Sequence, residues 1–264
     1  MFAVRLFDVI SFLASLYIAM ARTLVLISGG NQGLGYEAAK SLLSQSDNYH
    51  IIIGGRVLAK ATAAAESLRS VHGGASLSAI QLDITDNTSV DAAAAQVDSQ
   101  YGRLDILVNN AAIYLINREP VRDALRDSLA TNVTGTASLT EAMLPLLQKS
   151  QSPRIVFVST SMGSLNLNTD PSFPSYGDYA MEYRVTKAAL NMLLVLYSNK
   201  LKNIKVIGVD PGFCATNVIG DPEQLRKMGA MEPEVGAQFI ASVVKGDNDE
   251  HAGRLVGMTG IIPW

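Results

Sequence analysis

From residue 23 onward the hydrophobic positions fall into two alternating patterns, short unbroken apolar runs and longer stretches in which apolar residues recur with helical spacing. The short runs are Thr23 to Ser28, Tyr49 to Ile53, Leu77 to Leu82, Leu104 to Val108, Arg154 to Ser159, Ile204 to Val209 and Leu255 to Val256. Rich in Val, Ile and Leu and closed by Gly, Asn, Asp or Ser, they read as strands buried on both faces. The stretches between them, Tyr36 to Leu43, Val57 to Val71, the Ala-rich segment after Asp86, Val121 to Lys149, Tyr179 to Lys200 and Glu234 to Val244, read as helices. Asp86 is expected to cap the Ala-rich one. Strand and helix alternating throughout predict an α/β fold, a Rossmann-type doubly wound parallel β-sheet with helices on both faces. One helix carries a flaw. Val121 to Lys149 breaks its pattern around Asn132-Val133-Thr134-Gly135, where an amide and a glycine each cost helix stability and call for a packing or functional reason.

The N-terminus departs from this rhythm. Val9 to Ala21 is an apolar run preceded by Arg5 and Asp8, short for a membrane span. Residues 1–21 are therefore expected to be an apolar extension: a signal-anchor, an interfacial helix, or sequence upstream of a natural start at Met20. Membrane contact through it stays open. Residues 22–264 are expected to form a single domain, for which 264 residues at 48% hydrophobic content suffice. Composition then narrows the partners. A net charge of -3 with scattered Lys and Arg offers no basic face to nucleic acid. A single cysteine, Cys214, precludes an intramolecular disulfide, and three scattered histidines provide no metal-ligand spacing. A reducing, cytoplasmic compartment is consistent with this.

Candidate chemistry collects at the strand ends. The first strand runs into Gly29-Gly30-Asn31-Gln32-Gly33-Leu34-Gly35 and then a helix. Strand, glycine-rich turn and helix in that order cradle a nucleotide phosphate, because glycines admit the backbone and the helix N-terminus offers N–H groups and a positive dipole end. The spacing GxxxGxG is one residue off the usual dinucleotide fingerprint. About 20 residues on, where an NAD site carries an acid for the ribose 2′-hydroxyl, this chain has Gly54-Gly55-Arg56. An arginine without a carboxylate favours a 2′-phosphate, hence NADP(H). Asp83 closes the third strand, Asn109-Asn110-Ala111-Ala112 the fourth, Thr160-Ser161-Met162-Gly163-Ser164 the fifth and Asp210-Pro211-Gly212 the sixth. Beyond the fifth, Tyr183 and Lys187 lie one helical turn apart, so the ammonium is expected beside the phenol, where a fixed positive charge favours the phenolate and tunes Tyr183 for proton transfer.

Taken in order, the glycine-rich turn, Asp83, Asn109-Asn110-Ala111, Asn132, the hydroxyls after the fifth strand, Tyr183-x-x-x-Lys187 and Pro211-Gly212 with Thr216 resemble the short-chain dehydrogenase/reductase family, from about Thr23 to Trp264. The closing Gly260-Ile261-Ile262-Pro263-Trp264 and the wording of the glycine loop are similar to its carbonyl-reductase-like branch. The resemblance implies an NADPH-dependent oxidoreductase that reduces a ketone or aldehyde. Tyr183 would be the proton donor, and Lys187 would lower its pKa and bind the nicotinamide ribose. Asn132 would hold a water linking Lys187 to solvent. Leu34, Asp83, Ile84, Asn109 and Thr216 would line the cofactor, with Gly29, Gly33, Gly35, Arg56, Pro211 and Gly212. The carbonyl-orienting hydroxyl falls on Thr160 by counting back from Gly163, with Ser161 as a neighbouring candidate. Ala112 stands where the family usually has glycine. Leu165 to Glu182 is longer than usual and should form a specificity loop beside the substrate. Two other readings remain open: an NAD(P)-dependent alcohol dehydrogenase working oxidatively, and a non-catalytic NADP-binding sensor. The partner implied is a small carbonyl molecule, and pairing through the two long helices would give a homodimer or homotetramer.

Overall fold

A computed structural model describes residues 22–72, 75–115 and 118–264. The extension expected over residues 1–21 lies outside the described residues. Among those described, no helix is long and apolar enough to cross a membrane.

The centre of the sheet is β1 (Thr23–Ser28), whose side chains alternate between two cores. Leu24 and Leu26 pack into one and Val25 and Ile27 into the other, all fully buried, as the unbroken apolar run predicts. After β1 come α1 (Gly33–Gln45), β2 (Tyr49–Gly55), α2 (Leu58–Val71), β3 (Ser76–Gln81), α3 (Asn87–Tyr101) and β4 (Ile106–Asn109). The second half comprises α4 (Val121–Leu129), α5 (Thr136–Leu147), β5 (Arg154–Val158), α6 (Leu165–Asn168), α7 (Met181–Lys200), β6 (Lys205–Val209), α8 (Pro222–Lys227), α9 (Pro233–Lys245), β7 (Leu255–Gly257) and β8 (Gly260–Ile262). Strand order is β3-β2-β1-β4-β5-β6-β7-β8, parallel as far as β7. The chain winds outward to β3, returns, and continues from β4, so the switch point lies between β1 and β4. One face is covered by α1, α2 and α9, the other by α3, α5 and α7.

Three details differ from the sequence reading. The last strand pairs with an additional antiparallel strand, β8; each is three residues long, too short to announce a period. The segment after Gly163, expected as loop, opens with the short helix α6. The helix expected over Val121 to Lys149 is one rod, but Ala130–Gly135 winds as a π-helical turn between α4 and α5. Such a bulge is commonly found at functional sites. Its glycine has a packing reason, since a Cβ on Gly135 would come 2.5 Å from the carbonyl oxygen of Ile84. Asp86 caps α3 as expected, accepting from the Thr88 N–H.

At the opposite end of β2, His50 is buried between β3 and α3. Its Nδ1 lies 2.7 Å from Ser76 Oγ, and its Nε2 lies 2.9 Å from Ser78 Oγ and 3.0 Å from Tyr101 Oη. Burial, with help from the charges of Arg22 and Arg69, pushes its pKa down to about 4. The unfolded chain then binds the proton more tightly, so stability falls as pH drops through the window from 6.5 to about 4. We expect His50→Asn to lose less stability than the wild type on going from pH 7 to about 4.5, measured by urea unfolding at both pH values; equal losses would remove His50 as the acid-sensitive group.

Candidate active site

The crevice between β1 and β4 is held together by side chains of its own rim. Ser28 Oγ accepts from the N–H groups of Asn110 and Ala111, each at 3.0 Å. Asn110 Nδ2 donates back to the carbonyls of Ser28 at 2.9 Å and Gly29 at 3.3 Å. The turn between β1 and α1 needs its glycines: Gly29 and Gly33 have φ of 63° and 56°, in the left-handed region. A Cβ on Gly35 would lie 2.5 Å from Asn110 Nδ2 and 2.8 Å from the Gly29 carbonyl, so only glycine lets α1 start this close to β4. Gln32 precedes α1 without a side-chain hydrogen bond, and no acid lies in the first helical turn. The N–H groups there are thus left to an anion. The nearest atoms to a Cβ on Gly33 would be those of Thr216, at 3.9 Å, which places the loop after β6 across the crevice from the turn.

Around this cradle the remaining candidates take distinct places. Arg56 is exposed just past β2. Asp83 faces it electrostatically. Burial would raise the Asp83 carboxyl, but hydrogen bonds from the Thr85 hydroxyl and N–H to Oδ1, with the charge of Arg56, hold it below the usual carboxylate value. Asn109 Nδ2 donates to Thr140 Oγ1, whereas Asn109 Oδ1 is buried with no protein partner. Leu34 is partly buried against the α1 side of the core. Ile84 belongs to the opposite core, with its side chain packed among apolar neighbours. Pro211 and Thr216 are buried, and Gly212 turns at φ 79° with its N–H donating to Asp210 Oδ1.

Tyr183 and Lys187 lie on α7 as the spacing predicts, with Lys187 Nζ 5.4 Å from the centre of the tyrosine ring. The ammonium is buried and donates to the carbonyl oxygen of Val158 at 2.8 Å, tying α7 to the end of β5. The turn after β5 presses on the same helix. A Cβ on Gly163 would lie 2.7 Å from the Lys187 carbonyl carbon, so this position also requires glycine. Thr160 caps the 3₁₀ turn Ser161–Gly163 by accepting from the Met162 N–H, which leaves its own O–H free to donate. Ser161 contributes its backbone, donating to Asp210 Oδ2 at 2.7 Å.

Asn132 occupies the π-helical turn and is fully buried. Its Oδ1 accepts from the Ile113 N–H, and its Nδ2 donates to the Ile113 carbonyl and to Thr186 Oγ1. Thr186 Oγ1 in turn donates to the Tyr183 carbonyl at 2.7 Å. Through these bonds the Asn132 side chain positions α7 against the segment after β4.

The electrostatics also differ from expectation. Burial drives the Tyr183 phenol upward, and the charge of Asp210 and the neighbouring Tyr114 push the same way, so in this form it is held protonated rather than poised as phenolate. Burial likewise lowers the Lys187 pKa, to about 8, with Asp210 opposing, which leaves the ammonium largely charged at neutral pH. Sequence reasoning passed over Asp210 as a site residue. It is a buried carboxylate at a strand end, satisfied by N–H groups of two different loops, and its charge acts on both titrating groups. It also passed over Tyr114, whose ring meets that of Tyr183 edge-on at 4.7 Å. No spacing rule links residues so far apart in sequence.

Comparison with known proteins gives a consistent answer. Residues 23–225 match the family described as short chain dehydrogenase. The short-chain dehydrogenase/reductase eupG of a Phoma species is 33% identical over 92% of this chain and 98% of its own length. The short-chain dehydrogenase/reductase tropE of Talaromyces stipitatus is 35% identical over 88% of this chain and 94% of its own. Among solved structures, the NADPH-bound carbonyl reductase from chicken fatty liver superposes with a TM-score of 0.77 at 25% identity, covering 92% of this chain and 95% of that one.

A buried ammonium is costly, which yields a prediction. Lys187→Met keeps the length of the side chain and removes the charge, so we expect it to raise stability at pH 7 by about 1–3 kcal/mol. The Lys187 proton is held less tightly in the folded protein, so wild-type stability should rise as pH goes from about 8 towards 10.5. Urea unfolding of both proteins at pH 7 and 9.5 checks this: the difference should shrink at the higher pH. A destabilised Met variant would show that the bond to Val158 outweighs the charge.

Proposed function

The chain belongs to the short-chain dehydrogenase/reductase family, and from that premise we propose that it reduces a ketone or aldehyde to an alcohol with NADPH. The observation that carries this reading is that the turn capped by Thr160 packs at Gly163 against the backbone of Lys187, one helical turn beyond Tyr183, while a glycine cradle lies between β1 and α1. The cradle suits a dinucleotide: glycine turn, uncapped helix N-terminus and an unpartnered buried oxygen on Asn109. Gly29, Gly33, Leu34 and Gly35 would hold the pyrophosphate, and Asp83, Ile84 and Asn109 the adenosine half. Pro211, Gly212, Thr216 and Lys187 would hold the nicotinamide half. When bound, the cofactor supplies the hydride. Arg56, in place of a carboxylate beyond β2, supports NADP(H) over NAD(H).

The chain's own groups then perform the proton chemistry. Thr160 donates its free O–H to the substrate oxygen and orients the carbonyl. Tyr183, protonated at neutral pH, gives its proton to that oxygen as carbon becomes tetrahedral and charge develops. Lys187 supplies positive charge under the phenol as the phenolate forms. Asn132 fixes the helix that carries both. Cys214, buried and unpaired, is consistent with a cytoplasmic setting. We expect Tyr183→Phe to abolish turnover while NADPH affinity stays within about twofold, because the hydroxyl acts in the transition state. We expect Arg56→Ala to weaken NADPH about tenfold, roughly 1.4 kcal/mol, with NADH unchanged. Cofactor titration by fluorescence and steady-state rates on a carbonyl panel measure both, and an active phenylalanine variant would overturn the assignment.

The second copy of this chain is the macromolecular partner we propose. Met181, Val185, Met192 and Leu196 are exposed apolar residues on one face of α7, away from Tyr183 and Lys187 by helical periodicity. Such a stripe suits burial against its own symmetry mate. Sedimentation velocity should show a dimer for the wild type and a monomer for Met192→Lys with Leu196→Lys; a monomeric wild type would refute it.

A further inference from the structure

The specificity loop is attached to the active site through one arginine. Arg184 follows Tyr183 on α7 and reaches into the loop with both terminal nitrogens. Nη1 donates to Asn168 Oδ1 at 2.5 Å and to the Gly177 carbonyl at 3.1 Å, and Nη2 donates to the Ser175 carbonyl at 2.6 Å. The guanidinium lies 4.2 Å from the centre of the Tyr179 ring, so the loop is gripped at four points. Asn168 extends the connection. Its Nδ2 donates to the carbonyls of Met162 at 2.8 Å and Ser164 at 2.6 Å, within and just after the turn that Thr160 caps. An unbroken run of hydrogen bonds thus joins α7, the loop and the Thr160 turn.

Two costs are maintained at this junction. Arg184 Nε is buried with no protein partner, an unsatisfied donor costing about 1–3 kcal/mol that an apolar side chain would avoid. Ala180, where the loop enters α7, has φ 54°, the one non-glycine residue with positive φ among the described residues. That conformation is unfavourable for alanine and persists only where its surroundings hold it. A loop that merely connected two elements would need neither the arginine nor the strained entry.

We propose that Arg184 is a positioning and specificity-determining residue: through Asn168 it fixes residues 169–180 and the Thr160 turn as one unit against α7. Order in the loop and placement of the carbonyl-orienting hydroxyl are thereby coupled. The inference rests on the reductase reading for its kinetic arm, but its structural arm does not.

The test uses the full chain with Arg184→Ala, Arg184→Lys and Asn168→Ala. Chymotrypsin probes the loop, because Tyr176 and Tyr179 are half-exposed and lie within it. Cleavage after these two residues, read by mass spectrometry, is expected to speed up about tenfold in Arg184→Ala and less in Arg184→Lys, which keeps the charge but loses the fork. With the best carbonyl of a panel, Arg184→Ala should lower kcat/KM about tenfold, mainly through KM, and lysine should restore part of it. Asn168→Ala should instead lower kcat, since it frees the Thr160 turn. NADPH affinity should stay within about twofold in all three. Unchanged cleavage and unchanged kinetics in Arg184→Ala would overturn the proposal, as would a loss of NADPH affinity as large as the loss of kcat/KM, which would mark a general folding defect. If the wild type turned over no carbonyl, the reductase reading would fail and the cleavage rates alone would decide this one.

Discussion

A lysine ammonium held inside the protein is the constraint from which the site is arranged. Lys187 finds one fixed acceptor in the described residues, the Val158 carbonyl at the end of β5, and reaching it requires α7 to lie hard against that strand end. Gly163 is the consequence, because any side chain there would strike the helix backbone at Lys187. Asp210 is another. A carboxylate close enough to oppose the desolvation of Lys187 must itself be solvated, and the N–H groups of Ser161 and Gly212 do this from the loops after β5 and β6. One buried charge therefore fixes one helix and two loops.

The same helix is anchored from its other side through neutral groups. Asn132 bonds to Ile113 and Thr186 at once from its place on the π-helical turn. The two anchors differ in kind. The lysine anchor is electrostatic and responds to anything that alters local charge, whereas the asparagine anchor is a set of short neutral hydrogen bonds satisfied within the protein. α7 can thus keep its place while the protonation of the groups it carries changes.

The fold was legible because its signals are local. Seven strands, their order along the chain and the helices between them follow from runs and periodicities of a few residues, and the glycine turn declares itself by composition. Tyr183 and Lys187 were legible for the same reason, being one helical turn apart. What was hidden is relational. No local pattern singles out Asp210, whose role rests on hydrogen bonds from Ser161 and Gly212, or Arg184, whose role rests on the loop that folds over it. The direction of the Tyr183 shift was hidden too. Spacing shows that a lysine is near but not that burial depresses the lysine as well as raising the phenol. Strand β8 escaped because three residues give periodicity nothing to repeat.

The unsatisfied groups follow the same logic. Among the described residues, five buried side-chain polar atoms have no protein partner, and three of them belong to Asn109, Arg184 and Asn191. Asn109 closes β4 at the crevice, Arg184 adjoins Tyr183, and Asn191 lies one turn beyond Lys187, where its Oδ1 accepts from Ser159 at 2.6 Å. Each unmade hydrogen bond costs free energy that the apolar cores on the two faces of the sheet must offset. Those cores are built on residues such as Leu26 and Ile27, far from any polar demand, so stability and chemistry are assigned to different parts of the sheet. The strand interiors carry the fold, and the segments beyond their C-terminal ends can then retain buried charge, a strained alanine and amide atoms without a partner.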